Sequence, residues 1–245
     1  MVPAKLLLLM VFLAPGWDQI SESQMPPPAQ RVEVASPDGS LVMRVTSGNT
    51  LTYEVELRGQ TVIRPSPISM TLGGERALGP DAGSFQVEQS SRVDSVHPVV
   101  PEKPGTIRDA FNAASLTFEG DWGLEVRAYD DGVAFRFRVD EEGEFFVTDE
   151  GFSVTFPGDP ELWFPTEEGF LTHSERLYEK LALSAIPPDK MASLPVLVSL
   201  PGGPKVLVTE SDLQSYPGLY LRGELGGSLS GLLPSYPAAE EQVRD

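Results

Sequence analysis

Period-two alternation, broken at short intervals by turn residues, is the feature that most constrains this chain. Val32 and Val34 precede Pro37-Asp38-Gly39. Leu41, Met43 and Val45 precede Gly48-Asn49, and Leu51, Tyr53, Val55 and Leu57 precede Arg58-Gly59 and Val62. Apolar residues at every second position fill one face of a strand, and the glycine or asparagine at each break supplies the backbone freedom of a tight turn. The texture returns from Ala114 to Tyr129 and, after Asp130-Asp131-Gly132, from Val133 to Val139. There Val133, Phe135, Phe137 and Val139 share a core face, which leaves Arg136 and Arg138 on the other as solubility and register devices.

Between these meanders, residues 73–104 are rich in Gly, Ser, Pro and charge, and read as long connections around a strand at Phe85-Gln86-Val87. No 20-residue segment keeps a helical period. The best helical candidate is 172–183, where Leu177, Lys180 and Leu181 fit one face, but Leu177, Glu179, Leu181 and Leu183 alternate equally well as a strand. Without a fixed repeat, the pattern predicts an all-β chain built as a large antiparallel two-sheet sandwich. Its 245 residues suffice to bury a core unaided. The absence of cysteine excludes thiolate metal sites, cysteine nucleophiles and disulfides.

Ahead of the strands, Lys5 is followed by Leu6-Leu7-Leu8-Leu9-Met10-Val11-Phe12-Leu13-Ala14. This reads as a secretory h-region and is too short for the ~20 apolar residues of a membrane span. Residues 1–24 are therefore expected to be a signal peptide and leader, and 25–30 a linker around Pro26-Pro27-Pro28. The protein is expected to be exported, to a bacterial periplasm or the exterior. A net charge of −18 weighs against binding to nucleic acid or an anionic membrane surface.

Few residues offer catalytic chemistry. The histidines are His97, in a proline-flanked loop, and His173, beside Ser174 and Glu175. Adjacency in sequence argues against a triad, whose members come from separate elements. Pro201-Gly202-Gly203-Pro204 and residues 223–227 are turn material without the lysine and hydroxyl of a phosphate loop. Trp163, Phe164 and Phe170 suit buried anchoring better than sugar stacking. The most site-like stretch is Val206-Leu207-Val208-Thr209-Glu210-Ser211-Asp212-Leu213, running into Tyr216-Pro217-Gly218-Leu219-Tyr220-Leu221. A short apolar strand there ends in carboxylates and hydroxyls, yet Glu210 and Asp212 alone supply too few oxygens for a hard cation.

Several of these pieces occur in an order that resembles the N-terminal domain of glycoside hydrolase family 97. They are Ser36-Pro37-Asp38-Gly39 with its hairpins, Tyr129-Asp130-Asp131-Gly132-Val133-Ala134-Phe135-Arg136 and His173-Ser174-Glu175-Arg176-Leu177-Tyr178-Glu179. The segments at Val208-Thr209-Glu210-Ser211-Asp212-Leu213 and Tyr216-Pro217-Gly218-Leu219-Tyr220-Leu221 follow, then Pro234-Ser235-Tyr236-Pro237. The resemblance covers residues 31–237, with 238–245 leading toward further chain. It implies a galactose-mutarotase-like β-super-sandwich from an exported α-glucosidase or α-galactosidase, packed on a catalytic (β/α)8 barrel in cis or in trans. It further implies an α-linked oligosaccharide at the domain junction and a Ca2+ ion there, to which Glu210 is the ligand contributed by this chain. The catalytic carboxylates of the family lie on the barrel, so no catalytic residue is assigned here and the isolated chain is expected to lack glycosidase activity. The alternative is a free-standing carbohydrate-binding or structural β-sandwich module.

Overall fold

The computed structural model describes residues 29–235 apart from 74–75, 101–104, 141, 144, 212, 214–215 and 225. The expected signal peptide and the start of the linker lie outside the described residues, as do Asp212 and the segment 238–245. The described chain is all-β. Strands β1 (Arg31–Ala35), β2 (Leu41–Thr46), β3 (Thr52–Leu57), β4 (Gln60–Leu72), β5 (Arg76–Leu78) and β6 (Phe85–Val96) come first. They are followed by β7 (Ile107–Phe118), β8 (Trp122–Ala128), β9 (Val133–Val139), β10 (Val147–Thr155), β11 (Glu161–Phe164) and β12 (Thr166–Glu167). The last six are β13 (Glu179–Ala182), β14 (Met191–Ala192), β15 (Val196–Ser199), β16 (Lys205–Val208), β17 (Tyr220–Glu224) and β18 (Ser228–Leu232). A single 3-10 turn at Leu183–Ala185 is the only helical element among the described residues, and no helix there is long and apolar enough to cross a membrane.

The first meander forms as its alternation requires. Val32, Val34, Leu41, Met43, Val45, Tyr53 and Val55 are all buried, and the intervening residues face out. Between β3 and β4 the two-residue loop Arg58-Gly59 has φ of 51° and 77°. Positive φ at both positions is the twist that matches two antiparallel strands, which pins Leu57 opposite Gln60. Strand β4 contains Pro65 and Pro67, which cannot donate to a ladder. The buried Ser66 hydroxyl compensates by donating to the Arg64 carbonyl (2.7 Å) and accepting the Thr155 amide (2.9 Å).

All pairings are antiparallel. One sheet has ten strands, in the order β1-β2-β3-β4-β10-β18-β17-β14-β12, with β5 on β4. The opposing layer is divided into two four-stranded sheets, β6-β7-β8-β9 and β13-β11-β15-β16. Residues of all three sheets join one hydrophobic core, including Met43, Leu124, Leu162, Val198 and Leu221. Aromatic rings tie the layers together, with Phe135 of β9 lying 5.0 Å from Tyr53 of β3 and 6.3 Å from Phe152 of β10. On the outer face, Arg136 pairs with Glu125 at 2.7 Å. Arg138 donates to Asp140, Ser115 and Thr117, which locks three neighbouring strands in register.

One local expectation needs correction, and one left open between helix and strand is decided. The 73–104 region is more regular than its composition suggests, because β6 extends over twelve residues paired one to one with β7. Only Phe85 of β6 is buried, so a strand wetted on both faces gives no alternation to read. The 172–183 segment is not a helix. Residues 172–178 are irregular, Leu177 is 92% exposed, and the strand begins at Glu179.

Candidate functional site

Strand β16 of the small β13-β11-β15-β16 sheet ends at Val208, and the next strand in sequence, β17, belongs to the ten-stranded sheet. A chain crossing between sheets leaves their ladders, so its polar groups must be satisfied locally. Glu210 serves that need. The Leu219 amide donates to both of its carboxylate oxygens at 3.0 Å, closing the loop over Gly218. A second tether joins the loop to β10, where the Tyr216 hydroxyl donates to Glu150 Oε2 at 2.6 Å.

Partial burial pushes the Glu210 carboxyl above its ordinary range. The Leu219 amide opposes that shift, and the negative charge of Glu150 adds to it. Burial, followed by the bond to Glu150, also pushes the Tyr216 phenol up strongly, so it remains a protonated donor at neutral pH. Glu210, Glu150 and Tyr216 stand together at one cleft of about 770 Å³ whose floor is the inner face of the ten-stranded sheet, including Tyr53, Met70 and Phe152. The rest of the lining is largely apolar, with Asp130 and Asp131 as further acidic members and Arg136 and Lys205 as basic ones.

A hard divalent cation takes ~6–8 oxygen ligands. Glu210 is a fitting contributor, since an ionised carboxylate has about four acceptor sites and the Leu219 amide uses only part of that capacity. No group of three or more His, Asp or Glu side chains that could hold a metal occurs among the described residues. The chain therefore offers an incomplete ligand set, and Asp212 lies outside the described residues.

The other candidates are scattered. His97 is exposed, with Nδ1 3.3 Å from the Thr106 hydroxyl, and His173 is exposed in the irregular loop before β13. Phe164 is fully buried, as an anchor should be. Trp163 is half-buried with the Lys180 ammonium 5.2 Å above its ring, and Phe170 packs edge-on against Tyr220. Phe170 keeps 37% of its surface exposed.

Sequence reasoning missed two features. Glu150 has no local signal, because its partner Tyr216 is 66 residues away. The second is Glu167, whose side chain is 0% exposed and accepts from Thr172 (2.8 Å), Arg176 (2.8 Å) and Ser193 (3.0 Å). These bonds hold the irregular 168–178 loop against the sandwich. The resemblance motifs at 36–39 and 129–132 also meet, since the Asp38 amide donates to Asp130 Oδ1 at 2.9 Å across 92 residues of sequence. Within the first turn, Ser36 and Ser40 donate to the Asp38 carboxylate and hold its pKa at about 2.

Comparison with known proteins gives a consistent picture. The family model described as Glycosyl-hydrolase 97 N-terminal matches residues 34–242. A retaining alpha-galactosidase of Bacteroides thetaiotaomicron is 35% identical over 214 residues, which is 83% of this chain and 32% of that protein. A probable retaining alpha-galactosidase of Streptomyces bingchenggensis is 29% identical, over 96% of this chain and 35% of its own length. Among solved structures, a glycoside hydrolase family 97 enzyme from Pseudoalteromonas sp. strain K8, in complex with acarbose, superposes with a TM-score of 0.73. It is 21% identical, covering 82% of this chain and 32% of that one. A beta-arabinopyranosidase superposes with a TM-score of 0.70 at 21% identity, over 86% of this chain and 36% of its own. The chain thus spans about a third of the length of the relatives it matches.

Proposed function

The chain belongs to glycoside hydrolase family 97, of which it is the N-terminal domain, and on that premise we propose that it is the accessory β-sandwich of an exported, calcium-dependent α-glycosidase. In this reading it packs on a catalytic (β/α)8 barrel and presents Glu210 to a site completed by the barrel, where an α-linked oligosaccharide binds. The observation that carries the proposal is the placement of Glu210. Its carboxylate is pinned by the Leu219 amide in the lining of a cleft, with acceptor capacity to spare and, among the described residues, too few neighbours to hold a cation alone. The match of 83% of this chain to 32% of a retaining alpha-galactosidase supports an accessory part.

A bound Ca2+ would supply fixed positive charge to orient and polarise sugar oxygens. The residues of this chain do the positioning. Leu219 fixes the carboxylate plane of Glu210, while Tyr216 and Glu150 hold the loop that carries it to β10. Burial and Glu150 disfavour the ionised form of Glu210, so a cation that relieves this charge would bind more weakly as pH falls through the raised pKa.

The test is a chimaera in which this chain replaces the matching portion of the Bacteroides thetaiotaomicron retaining alpha-galactosidase. Hydrolysis of an aryl α-galactoside is expected from the chimaera and not from this chain alone. Glu210→Gln should raise the calcium concentration needed for half-maximal activity by tenfold or more, and should weaken calcium binding by calorimetry. Product release by the chain alone, or a calcium response unchanged by Glu210→Gln, would refute the reading.

A further inference from the structure

Strands β1 and β6 are both sheet edges, and the molecule treats them differently. Along β1, the Glu33 carbonyl accepts from Gln89 Nε2 at 3.0 Å and the Ala35 carbonyl from Asn112 Nδ2 at 2.9 Å, so side chains of the opposing layer fill two of its acceptors. Strand β6 is capped in this way only at its first residue. There the Phe85 amide donates to Gln30 Oε1 (2.9 Å) and the Phe85 carbonyl accepts from Gln30 Nε2 (3.1 Å). Backbone groups of successive strand residues point alternately to the two sides. Those of Phe85 point away from β7, and so do those of Val87, Gln89, Ser91 and Val93, with which no strand pairs among the described residues. Edge strands are ordinarily short or blunted by lysine or proline. This one runs for twelve residues with neither, and Val87 and Val93 stand 45% and 72% exposed on one face.

We propose that β6 pairs with β6 of a second copy of this chain, antiparallel and centred on Ser90, to form a two-fold symmetric dimer. Side chains select both the partner and the register. With Ser90 at the centre, Glu88 of each copy lies opposite Arg92 of the other, and Val87 opposite Val93. Symmetry forms each pair twice, and directly opposed charges and apolar side chains are the contacts that stabilise a ladder. Within one copy Glu88 has no ion pair among the described residues, while Arg92 reaches only the exposed Asp94, at 2.6 Å. Centring on Ser91 instead would set Glu88 against Asp94. Centring on Gln89 would leave Arg92 opposite Gln86 and bring Val93 onto Phe85, whose backbone groups Gln30 already holds. The charge order along β6 thus complements its own reverse. Strand β6 lies at the opposite end of its sheet from β9, so the dimer leaves the cleft beside Glu210 open and is independent of the role of Glu210.

Sedimentation velocity of this chain over a dilution series is expected to show a monomer–dimer equilibrium. Amide exchange at Val87, Gln89, Ser91 and Val93 should slow by about tenfold or more as dimer forms. Glu88→Arg or Arg92→Glu alone sets like charges opposite each other at both symmetry-related positions, and should weaken the dimer by about tenfold or more. An equal mixture of the two single variants puts opposite charges back across the pair and should associate again, as should the Glu88→Arg/Arg92→Glu double variant. Both positions are exposed, and circular dichroism checks that each variant folds. Should one fail to fold, the exchange pattern of the unaltered chain decides alone. A chain monomeric at every concentration, a dimer indifferent to both reversals, or single variants whose mixture stays monomeric would overturn the pairing. So would open-ended aggregates without a defined dimer, or concentration-dependent protection confined to the β1, β9, β12, β13 or β16 edges.

Discussion

Glu167 accepts hydrogen bonds from Thr172, Arg176 and Ser193, whereas the Glu210 carboxylate accepts, among the described residues, only the Leu219 amide. Both are carboxylates withdrawn from water, and burial works against the charge of each. At Glu167 the three donors outweigh burial and hold the carboxyl below its ordinary range. At Glu210 burial prevails, helped by Glu150, and the carboxyl is raised. A carboxylate with its acceptor sites filled is committed to structure, and here it straps a long loop to the sandwich. One that is desolvated but underfilled gains from a further cation or donor.

The largest way to break this contrast is Glu167→Ala. It removes the acceptor of the Arg176 guanidinium and of the Thr172 and Ser193 hydroxyls, of which Ser193 is buried, so a loss of about 2 kcal/mol is expected by urea denaturation. Proteolysis should then begin within 168–178, and a loss below about 1 kcal/mol would reduce Glu167 to an ordinary surface charge. Next comes Tyr216→Phe, which removes the bond to Glu150 and should cost about 1 kcal/mol, with faster amide exchange across 209–219. An unaltered loop would show that the Leu219 to Glu210 bond alone fixes it.

Smaller still is Glu210→Gln, expected to change stability by no more than about 0.5 kcal/mol. Its pH dependence should run opposite to that of Glu167. The folded pKa of Glu167 is lowered, so its stabilising effect is complete above the unfolded value near 4.5 and is lost as pH falls through the folded value. The folded pKa of Glu210 is raised, so the folded state retains a proton that the unfolded chain has released. The wild type should therefore lose ground to Glu210→Gln as pH rises from about 4.5. Unfolding curves of the wild type, Glu167→Gln and Glu210→Gln between about pH 3 and 7 check this, and parallel slopes would erase the distinction.

Much of the scaffold was legible in the sequence. The first four apolar runs and their turns predicted buried faces that the structure shows, from Val32 through Val62 with Leu57 half-buried, and the Arg136 and Arg138 face is the outer one expected. The long β6 escaped because both its faces are exposed, and the 168–178 loop because its anchor is a buried carboxylate with no periodic signature. Glu210 was singled out in the sequence, but the hydrogen bond it accepts from the Leu219 amide nine residues on was not.

Alternation and turn chemistry by themselves determined that this chain forms antiparallel hairpins with a particular face inward, since strand period and turn conformation are local properties of consecutive residues. Only the tertiary structure decided which edges stand opposite one another. The cleft between β9 and β16, the meeting of Tyr216 with Glu150 and the closure of donors around Glu167 join residues whose spacing in the chain carries no period. Such contacts follow from how completed sheets pack across a shared core, and no local rule specifies them.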